Sequence, residues 1–247
     1  MKISIITIVY NNRETIADAI ESVLAQTYPD IEYIVVDGQS TDGTVELVQS
    51  YGDRISKFIS EKDAGLYDAI NKGIRLATGD VVGLLHSDDL FESRDAIKAV
   101  AAAFRNNGTE SIYADLVYVS RQDAGKVIRN WKSGIYKKNN FLYGWMPPHP
   151  TFYVKREVYE RLGLYNTKFR SAADYELMLR YLYKEGISTA YVPEVLVRMR
   201  VGGKSNVTLA NRWRANQEDF RAWQVNGLKP RYYTRFLKPI RKLVQFL

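Results

Sequence analysis

The sequence predicts an α/β domain: a mixed, mainly parallel sheet with helices on both faces. Strand-like apolar runs alternate with helical stripes over residues 3–104, the order that a parallel sheet with crossover helices requires. Polar turns carrying aspartate follow these runs, at Asp37-Gly38 and at Asp88-Asp89. With 247 residues, 46% of them hydrophobic and 26% charged, the chain can bury one large core.

Taken in order, Ile3–Val9 is a short β-rich apolar run and reads as a buried strand. Ile16, Ala19, Ile20, Val23 and Leu24 then recur at helical spacing after the Asn11-Asn12 turn. Ile31–Val36 is the second strand, and residues 39–43 lead from it into a helix with Val45, Leu47 and Val48. Lys57–Ser60 is a weaker third strand. Leu66, Ala69, Ile70, Ile74 and Ala77 form the next helical stripe, closed near Gly79. Val81–Leu85 is the fourth strand; His86-Ser87-Asp88-Asp89 follows, then a helix through Ala96, Ile97, Val100, Ala101 and Phe104. Beyond residue 110 the alternation changes. Ser111–Ser120 and Lys126–Trp131 flank a turn at residues 122–125, which is a hairpin signal. Residues 132–150 read as a long aromatic, proline-rich loop. A strand at Thr151–Val154, a short helix at Glu157–Leu162, a longer helix at Tyr175–Lys184, a strand over Ser188–Val201 and a helix at Leu209–Val225 complete the series. The expected organisation is one domain over residues 1–227, with a nucleotide-binding half (1–110) and an acceptor-binding half (111–227), followed by a tail at 228–247.

The net charge of +7 is unevenly placed. Seven cations follow Asp219 with no acid among them, and without those seven the charges balance at 28 each. A protein that coats nucleic acid through a basic body is therefore excluded; the pattern is a neutral body with a basic tail. The absence of cysteine rules out disulfides, thiolate metal sites and a thiol nucleophile, in keeping with a reducing, cytoplasmic setting. The N-terminal apolar run is too short for a signal peptide, and no apolar stretch is long enough to span a bilayer. With His86 and His149 as the two histidines, polyhistidine metal sites are nearly excluded.

In open parallel sheets, ligands bind beyond the carboxyl ends of the strands. Asp37, Asp63 and Asp88-Asp89 fall there, after the second, third and fourth strands. A single aspartate at such a point commonly starts a turn or caps a helix, and Asp42 and Asp95 fit that description. Carboxylates gathered at neighbouring strand ends repel, however, and call for a cation or a donor. Asp88-Asp89 supplies hard oxygen ligands suited to Mg²⁺ or Mn²⁺ shared with a substrate's phosphates. Asp37 suits hydrogen bonds from a ribose hydroxyl or a base edge.

SIITIVYNNRETIADAIESVLAQTY, then IEYIVVDGQSTDGT, then EKDAGLYDAINKGIRLATGDVVGLLHSDDLF together resemble family 2 of the glycosyltransferases, including those that build bacterial surface polysaccharides. The likeness covers roughly residues 3–205 and implies the nucleotide-sugar-binding GT-A fold. By this resemblance Thr7, Ile8 and Tyr10 flank the nucleobase, and Asp37 holds the base or ribose. His86-Ser87-Asp88-Asp89 matches the D-x-D-D region of the family, with His86 in place of the first aspartate. The resemblance thus assigns the metal to Asp89, the first choice as direct ligand, with Asp88, and His86 as a neutral ligand or a hydrogen-bonding neighbour. Asp174, in SAADYELMLRYL, matches the acidic residue that serves the family as catalytic base, with Ala173 in the position often held by glutamate. Asp174 alternatively caps the helix that follows it. A carboxylate base suits direct, inverting attack of an acceptor hydroxyl on the sugar.

Cations for the donor's diphosphate are sought in Lys72, Arg198, Arg200 and Lys204, the last beside a Gly-Gly pair that suits a mobile flap; a solvated turn is the alternative. His149, in PPHPT, is a candidate acceptor or phosphate contact. Trp145, Tyr143 and Tyr136 suit either sugar stacking or packing. The tail, KPRYYTRFLKPIRKLVQFL, interleaves cations with apolar side chains, as a segment for an anionic membrane surface does; docking on the chain's own core or on a second subunit is the alternative. The expected partners are a nucleotide-diphosphate sugar, a saccharide acceptor of the polyprenyl-diphosphate-linked kind and the inner face of the cytoplasmic membrane, without nucleic acid. Two other classes compete: a sugar-phosphate nucleotidyltransferase, which calls for a glycine-rich loop where this chain has Val9-Tyr10-Asn11-Asn12-Arg13, and a non-catalytic adaptor acting through the tail, which leaves the acid cluster unexplained.

Overall fold

The apolar runs become strands β1 (Ile3–Val9), β2 (Ile31–Asp37), β3 (Lys57–Ser60), β4 (Val81–Leu84), β5 (Leu90–Phe91), β6 (Ser111–Val119), β7 (Val127–Trp131), β8 (Tyr153–Lys155) and β9 (Thr189–Arg200). The helical stripes become α1 (Arg13–Leu24), α2 (Thr44–Gln49), α3 (Leu66–Leu76), α4 (Ala96–Asn107), α5 (Arg156–Leu162), α6 (Ala173–Met178) and α7 (Leu209–Val225). The structure, a computed structural model, describes residues 1–202, 209–234 and 237, apart from the side chains of 209–214. No helix among the described residues is long and apolar enough to cross a membrane.

The sheet runs β3-β2-β1-β4-β8-β6-β9-β5, with β7 paired to β6 as the expected hairpin. Its parallel character is concentrated at one end: β1 lies parallel to β2, with Ile3 opposite Ile31, and to β4, with Ile3 opposite Val81. Beyond β4 the directions mix, because β8 joins both β4 and β6 antiparallel while β6 and β9 run parallel. The parallel strands are apolar on both sides, as strands covered by helices on each face must be. Ile6, Ile8, Ile34, Val36, Val82 and Leu84 pack on one face with Ile70 and Ile74 of α3 and Val158 of α5. Ile3, Ile5, Tyr33, Val35 and Val81 pack on the other with Ile16 and Ile20 of α1 and Ile97 and Val100 of α4. Each such aliphatic side chain contributes about 1.5–3 kcal/mol on full burial. Both cores also draw on the second half of the chain, through Phe141 and Phe152 on one face and Ile112 and Leu116 on the other.

Three elements differ from the sequence expectation. Leu66 is 45% exposed, whereas its neighbour Tyr67 is buried at 6%. The inward stripe of α3 is therefore Tyr67, Ile70, Asn71 and Ile74, because Leu66 is the first helical residue after Gly65 and faces outward. Residues 132–150 are not a featureless loop: 3₁₀ turns at Lys138–Tyr143 and His149–Thr151 fold them onto the protein. The helix expected at Tyr175–Lys184 starts at Ala173 and widens after Met178 into a π-helical turn, Leu179–Lys184, which buries Tyr181 and Leu182. The start of the tail is docked: Tyr233 stacks on Tyr143, and the Thr234 hydroxyl donates to the Leu142 carbonyl at 2.7 Å. Residues 203–208, 235, 236 and 238–247 lie outside the described residues; Lys204, the second glycine of the Gly-Gly pair and most of the tail fall there.

Candidate active site

The carboxyl ends of β1, β2 and β3 converge on Asp37. Its carboxylate is fully buried; Oδ2 accepts from the Ser40 amide at 2.9 Å and the Ser60 hydroxyl at 2.7 Å. Its other oxygen, Oδ1, is buried without a hydrogen-bond partner among the described residues, an arrangement that costs free energy until a donor arrives. Gly38 follows and brings Asp63 and Tyr10 close to the backbone: a Cβ there would lie 2.8 Å from Asp63 Oδ2 and 3.3 Å from the Tyr10 ring. Tyr10, Gly38 and Asp63 thus stand together beside Asp37, and Tyr10 is 57% exposed. Two non-glycine residues with positive φ, Asn11 (46°) and Gln39 (65°), shape this corner. Such backbone conformations carry a cost and concentrate at functional sites. Asn11 is held there by its amide donating to Ser40 Oγ and its side-chain oxygen accepting from the Thr41 amide, both at 2.8 Å.

The β4–β5 turn, residues 86–89, forms the next wall. Asn12 Nδ2 donates to Ser87 Oγ at 3.0 Å and the Thr15 hydroxyl to the Ser87 carbonyl at 3.0 Å, so the start of α1 fixes this turn against β1. From below, Arg200 at the end of β9 donates its amide to Asp89 Oδ1 and one guanidinium N–H to the Asp88 carbonyl, both at 3.2 Å, while Nη2 pairs with Asp18 at 2.6 Å. Asp89 is fully buried, and its Oδ2 has no partner among the described residues. Burial, reinforced by the Asp88 charge, raises its pKa well above the usual carboxylate range. Burial lowers the pKa of His86, against the opposing charges of Asp88 and Asp174, which keeps the imidazole in the neutral form that binds metals.

No group of three His, Asp or Glu side chains among the described residues makes a ready metal cage. The residues present still fit a divalent ion of the kind held by one or two carboxylates and a substrate's phosphates. A partly exposed Asp88 stands next to a buried carboxylate with an orphaned oxygen and to a neutral imidazole. Burial distinguishes the two carboxylates: Asp88 is the one that reaches the solvent side of the turn, whereas Asp89 is anchored within it.

Asp174 lies in the first turn of α6. Ala172, not Asp174, occupies the N-cap, and no side-chain cap is made. Asp174 Oδ1 instead accepts from the Tyr67 hydroxyl of α3 at 3.2 Å. Tyr67 stacks on Tyr165 with ring centroids 5.8 Å apart, and the Tyr165 hydroxyl pairs with His149 Nε2 at 2.8 Å. His149 lies 5.7 Å from His86, ring to ring, and burial beside His86 pushes its pKa down to about 3.

Several candidates read from the sequence are given other work by the structure. The Thr7 side chain is wholly buried and accepts from Tyr33 Oη at 3.0 Å, and Ile8 belongs to the core, so of the three residues expected beside the base only Tyr10 has an exposed side chain. Trp145 is 4% exposed, packed by Tyr113, Tyr136 and Phe141, and donates its indole N–H to the Ser133 carbonyl; it is a packing residue rather than an open stacking face. Tyr136 is tied to the Leu182 carbonyl. Arg198 is paired with Glu92, just after β5, and Arg200 with Asp18, so both guanidinium groups already have carboxylate partners. Lys72 already contacts Asp63 at 2.7 Å and Glu61 at 2.9 Å. The residues missed were Asn12, Thr15, Tyr67, Asn71 and Tyr165. The spacing of Tyr67 and Asn71 on the inward stripe was visible, but nothing in sequence said that their partners lie about a hundred residues away.

The sequence profile of glycosyl transferase family 2 matches residues 4–163. A glycosyltransferase of PGL/p-HBAD biosynthesis from Mycobacterium bovis BCG is 27% identical over 208 residues, covering 82% of this chain and 78% of that one. An uncharacterized glycosyltransferase of Mycobacterium tuberculosis H37Rv is 32% identical over 181 residues, covering 72% and 68%. The fold is similar to that of Staphylococcus aureus TarS 1–349 in complex with UDP-GlcNAc, with a TM-score of 0.70 at 16% identity over 92% of this chain. This chain spans 65% of that TarS chain. It is also similar to the mannosyltransferase PcManGT of Pyrobaculum calidifontis in complex with GDP-Man and Mn²⁺, with a TM-score of 0.69 at 20% identity over 99% of this chain and 69% of that one.

Proposed function

The chain belongs to glycosyl transferase family 2, and from that premise we propose that it transfers a sugar, with inversion, from a nucleotide-diphosphate donor to a hydroxyl of a saccharide acceptor during surface-polysaccharide or glycolipid assembly. The observation that carries this reading is the run of contacts that joins Asp174 to the turn at 86–89: Asp174 to the Tyr67 hydroxyl, Tyr67 stacked on Tyr165, Tyr165 to His149, and His149 with its ring 5.7 Å from that of His86. A donor seated across Tyr10, Asp37 and Asp63 then has its diphosphate end at Asp88 and its sugar before Asp174. Asp37, with an unpartnered oxygen and two donors fixing the other, is set to accept a hydroxyl or N–H of the nucleoside. The acceptor oxygen attacks the anomeric carbon as the bond to the diphosphate oxygen breaks. The proton leaving the acceptor hydroxyl passes to Asp174, and the nucleoside diphosphate carries away the electron pair. No covalent sugar-protein intermediate is needed.

Asp88, with His86 beside it and Asp89 anchoring the turn, would hold Mn²⁺ or Mg²⁺. A bound ion there supplies positive charge to the departing diphosphate. Arg200 keeps both aspartates in place. His149, held neutral and tied to Tyr165, lines the acceptor side, where it offers a hydrogen bond without repelling a cation. The basic tail fits an anionic membrane, which suits a polyprenyl-diphosphate-linked acceptor at the inner face of the cytoplasmic membrane. Residues 229–234 serve to dock it, leaving 235–247 as the segment for the lipid surface.

The test is a transfer screen across UDP-, GDP- and dTDP-sugars with Mn²⁺, with the anomeric configuration of the product read by NMR. A product of inverted configuration is expected. Retention of configuration overturns the direct-attack reading, and an absence of binding to every nucleotide sugar by calorimetry overturns the donor class. Deleting residues 235–247 should weaken sedimentation with anionic liposomes while soluble-acceptor transfer persists; unchanged sedimentation assigns the tail a structural role.

A further inference from the structure

The inward face of α3 reaches from the donor corner to the acceptor side and holds groups there that the proposed chemistry uses. At its start, Tyr67 donates its hydroxyl to Asp174 Oδ1 at 3.2 Å. One turn later, Asn71 clamps the backbone of Tyr165 from both sides: its Nδ2 donates to the Tyr165 carbonyl at 2.8 Å, and its Oδ1 accepts the Tyr165 amide at 2.9 Å. Both contacts are buried and bridge 94 residues of sequence. The ring of Tyr165, fixed in this way, stacks on Tyr67 and carries the hydrogen bond to His149. The next residue of the helix, Lys72, points the other way to Asp63. One helix therefore ties Asp63, Asp174 and His149 into a common frame.

We propose that Tyr67 is a positioning residue for Asp174: its hydroxyl holds one carboxylate oxygen, leaving the second to take the acceptor's proton, and Asn71 fixes the Tyr165 ring against which Tyr67 lies. The assignment rests on the reading of Asp174 as base. A phenylalanine would fill the core at position 67 as well as tyrosine does, since Tyr67 is 6% exposed and packed among apolar side chains. What the hydroxyl adds is the bond to the Asp174 carboxylate, together with backbone hydrogen bonds from Ala173 and Asp174 at the start of α6. Burial and the Asp174 charge raise the pKa of that hydroxyl, so it keeps its proton and remains a donor through the neutral range. A carboxylate held at one oxygen loses rotational freedom that a general base cannot spend in the transition state.

The test is a double-mutant cycle of Tyr67→Phe and Asp174→Asn in the full-length protein, using the donor and acceptor found by the transfer screen. Tyr67→Phe should lower kcat about tenfold while donor KM and the calorimetric donor Kd stay within about twofold. In the Asp174→Asn background the same change should cost nothing further, because Tyr67 acts through the carboxylate. Thermal melting of each variant separates a folding defect from a positioning defect. If Asp174→Asn abolishes transfer and Tyr67→Phe transfers at the wild-type rate, Tyr67 has no positioning role and the base assignment survives. Losses that multiply in the double variant also overturn the proposal, since they assign Tyr67 an effect independent of Asp174. Full transfer by Asp174→Asn overturns the base assignment itself.

Discussion

The corner around Asp37, proposed to hold the donor, and the region around Asp174, proposed as the acceptor side, are built by different means. At the donor corner, carboxylates sit at strand ends and are oriented by near neighbours: Asp37 by Ser40 and Ser60, Asp63 by Lys72. At the acceptor side, Asp174 and His149 are oriented by aromatic hydroxyls, and those are fixed from a helix in the other half of the chain. The donor corner is thus organised by local backbone geometry, which a parallel sheet supplies by default. The acceptor side depends on long-range packing. Changes at the donor corner should therefore alter donor binding by itself, whereas changes at the acceptor side should alter turnover.

The sharpest way to break this contrast is at Asp174. Asp174→Asn should lower kcat by about a thousandfold, the order expected for removing a general base, with donor Kd by calorimetry unchanged. A parallel loss of donor affinity would merge the two regions into one site. The reciprocal change, Asp37→Asn, should raise donor KM about tenfold to a hundredfold with a much smaller effect on kcat, as initial rates at saturating donor would report. If kcat falls as far as it does for Asp174→Asn, the donor corner is not acting through binding.

The seam between the regions offers a stability test. Gly83 in β4 faces the buried ring of Tyr153 in β8, and a Cβ at position 83 would lie 2.0 Å from that ring. Gly83→Ala should cost about 1–3 kcal/mol, read by denaturant melts. Because both cores cross the seam, loss of fluorescence and loss of helical signal should coincide; separate transitions would show two units instead of one.

An effect confined to acid conditions lies near the start of β2, away from both regions. Burial alone would raise the pKa of Glu32, but hydrogen bonds from Ser4, Thr78 and Lys57 outweigh it and bring the value down to about 2, from an ordinary 4.5. A carboxylate with a depressed folded pKa stabilises the fold above the unfolded value, and that contribution is lost as pH falls through the folded one. Stability should therefore decline between about pH 4.5 and 2, by up to about 3 kcal/mol from this group. Glu32→Gln should flatten the decline in urea melts over that range; an identical slope in both proteins would remove Glu32 as a contributor.

Much of the first hundred residues was legible in the sequence because the elements there are periodic and the acids stand where a parallel sheet ends. β1, β2 and β4 coincide with apolar runs, and Asp37, Asp63 and the turn at 86–89 meet at one end of the sheet as their positions after strands implied. The hairpin of β6 and β7 and the helix α7 were likewise readable from turn residues and spacing. Legibility fails where a side chain's role depends on which remote group it meets. Trp145 reads equally as a sugar platform or a core residue until Tyr113, Tyr136 and Phe141 are placed around it. Arg198 and Arg200 read as phosphate ligands until Glu92 and Asp18 claim them.

By itself, then, the sequence determined the layered α/β order, the neutral body with its basic tail and the row of acids at the strand ends, all set by local periodicity and composition. Tertiary structure alone decided which of those charges are already paired, which carboxylate of Asp88 and Asp89 faces solvent, and that Tyr67 meets Asp174 across 107 residues. Hydrogen bonds and ion pairs have a reach of a few ångströms, and only the folded chain brings residues so far apart within it.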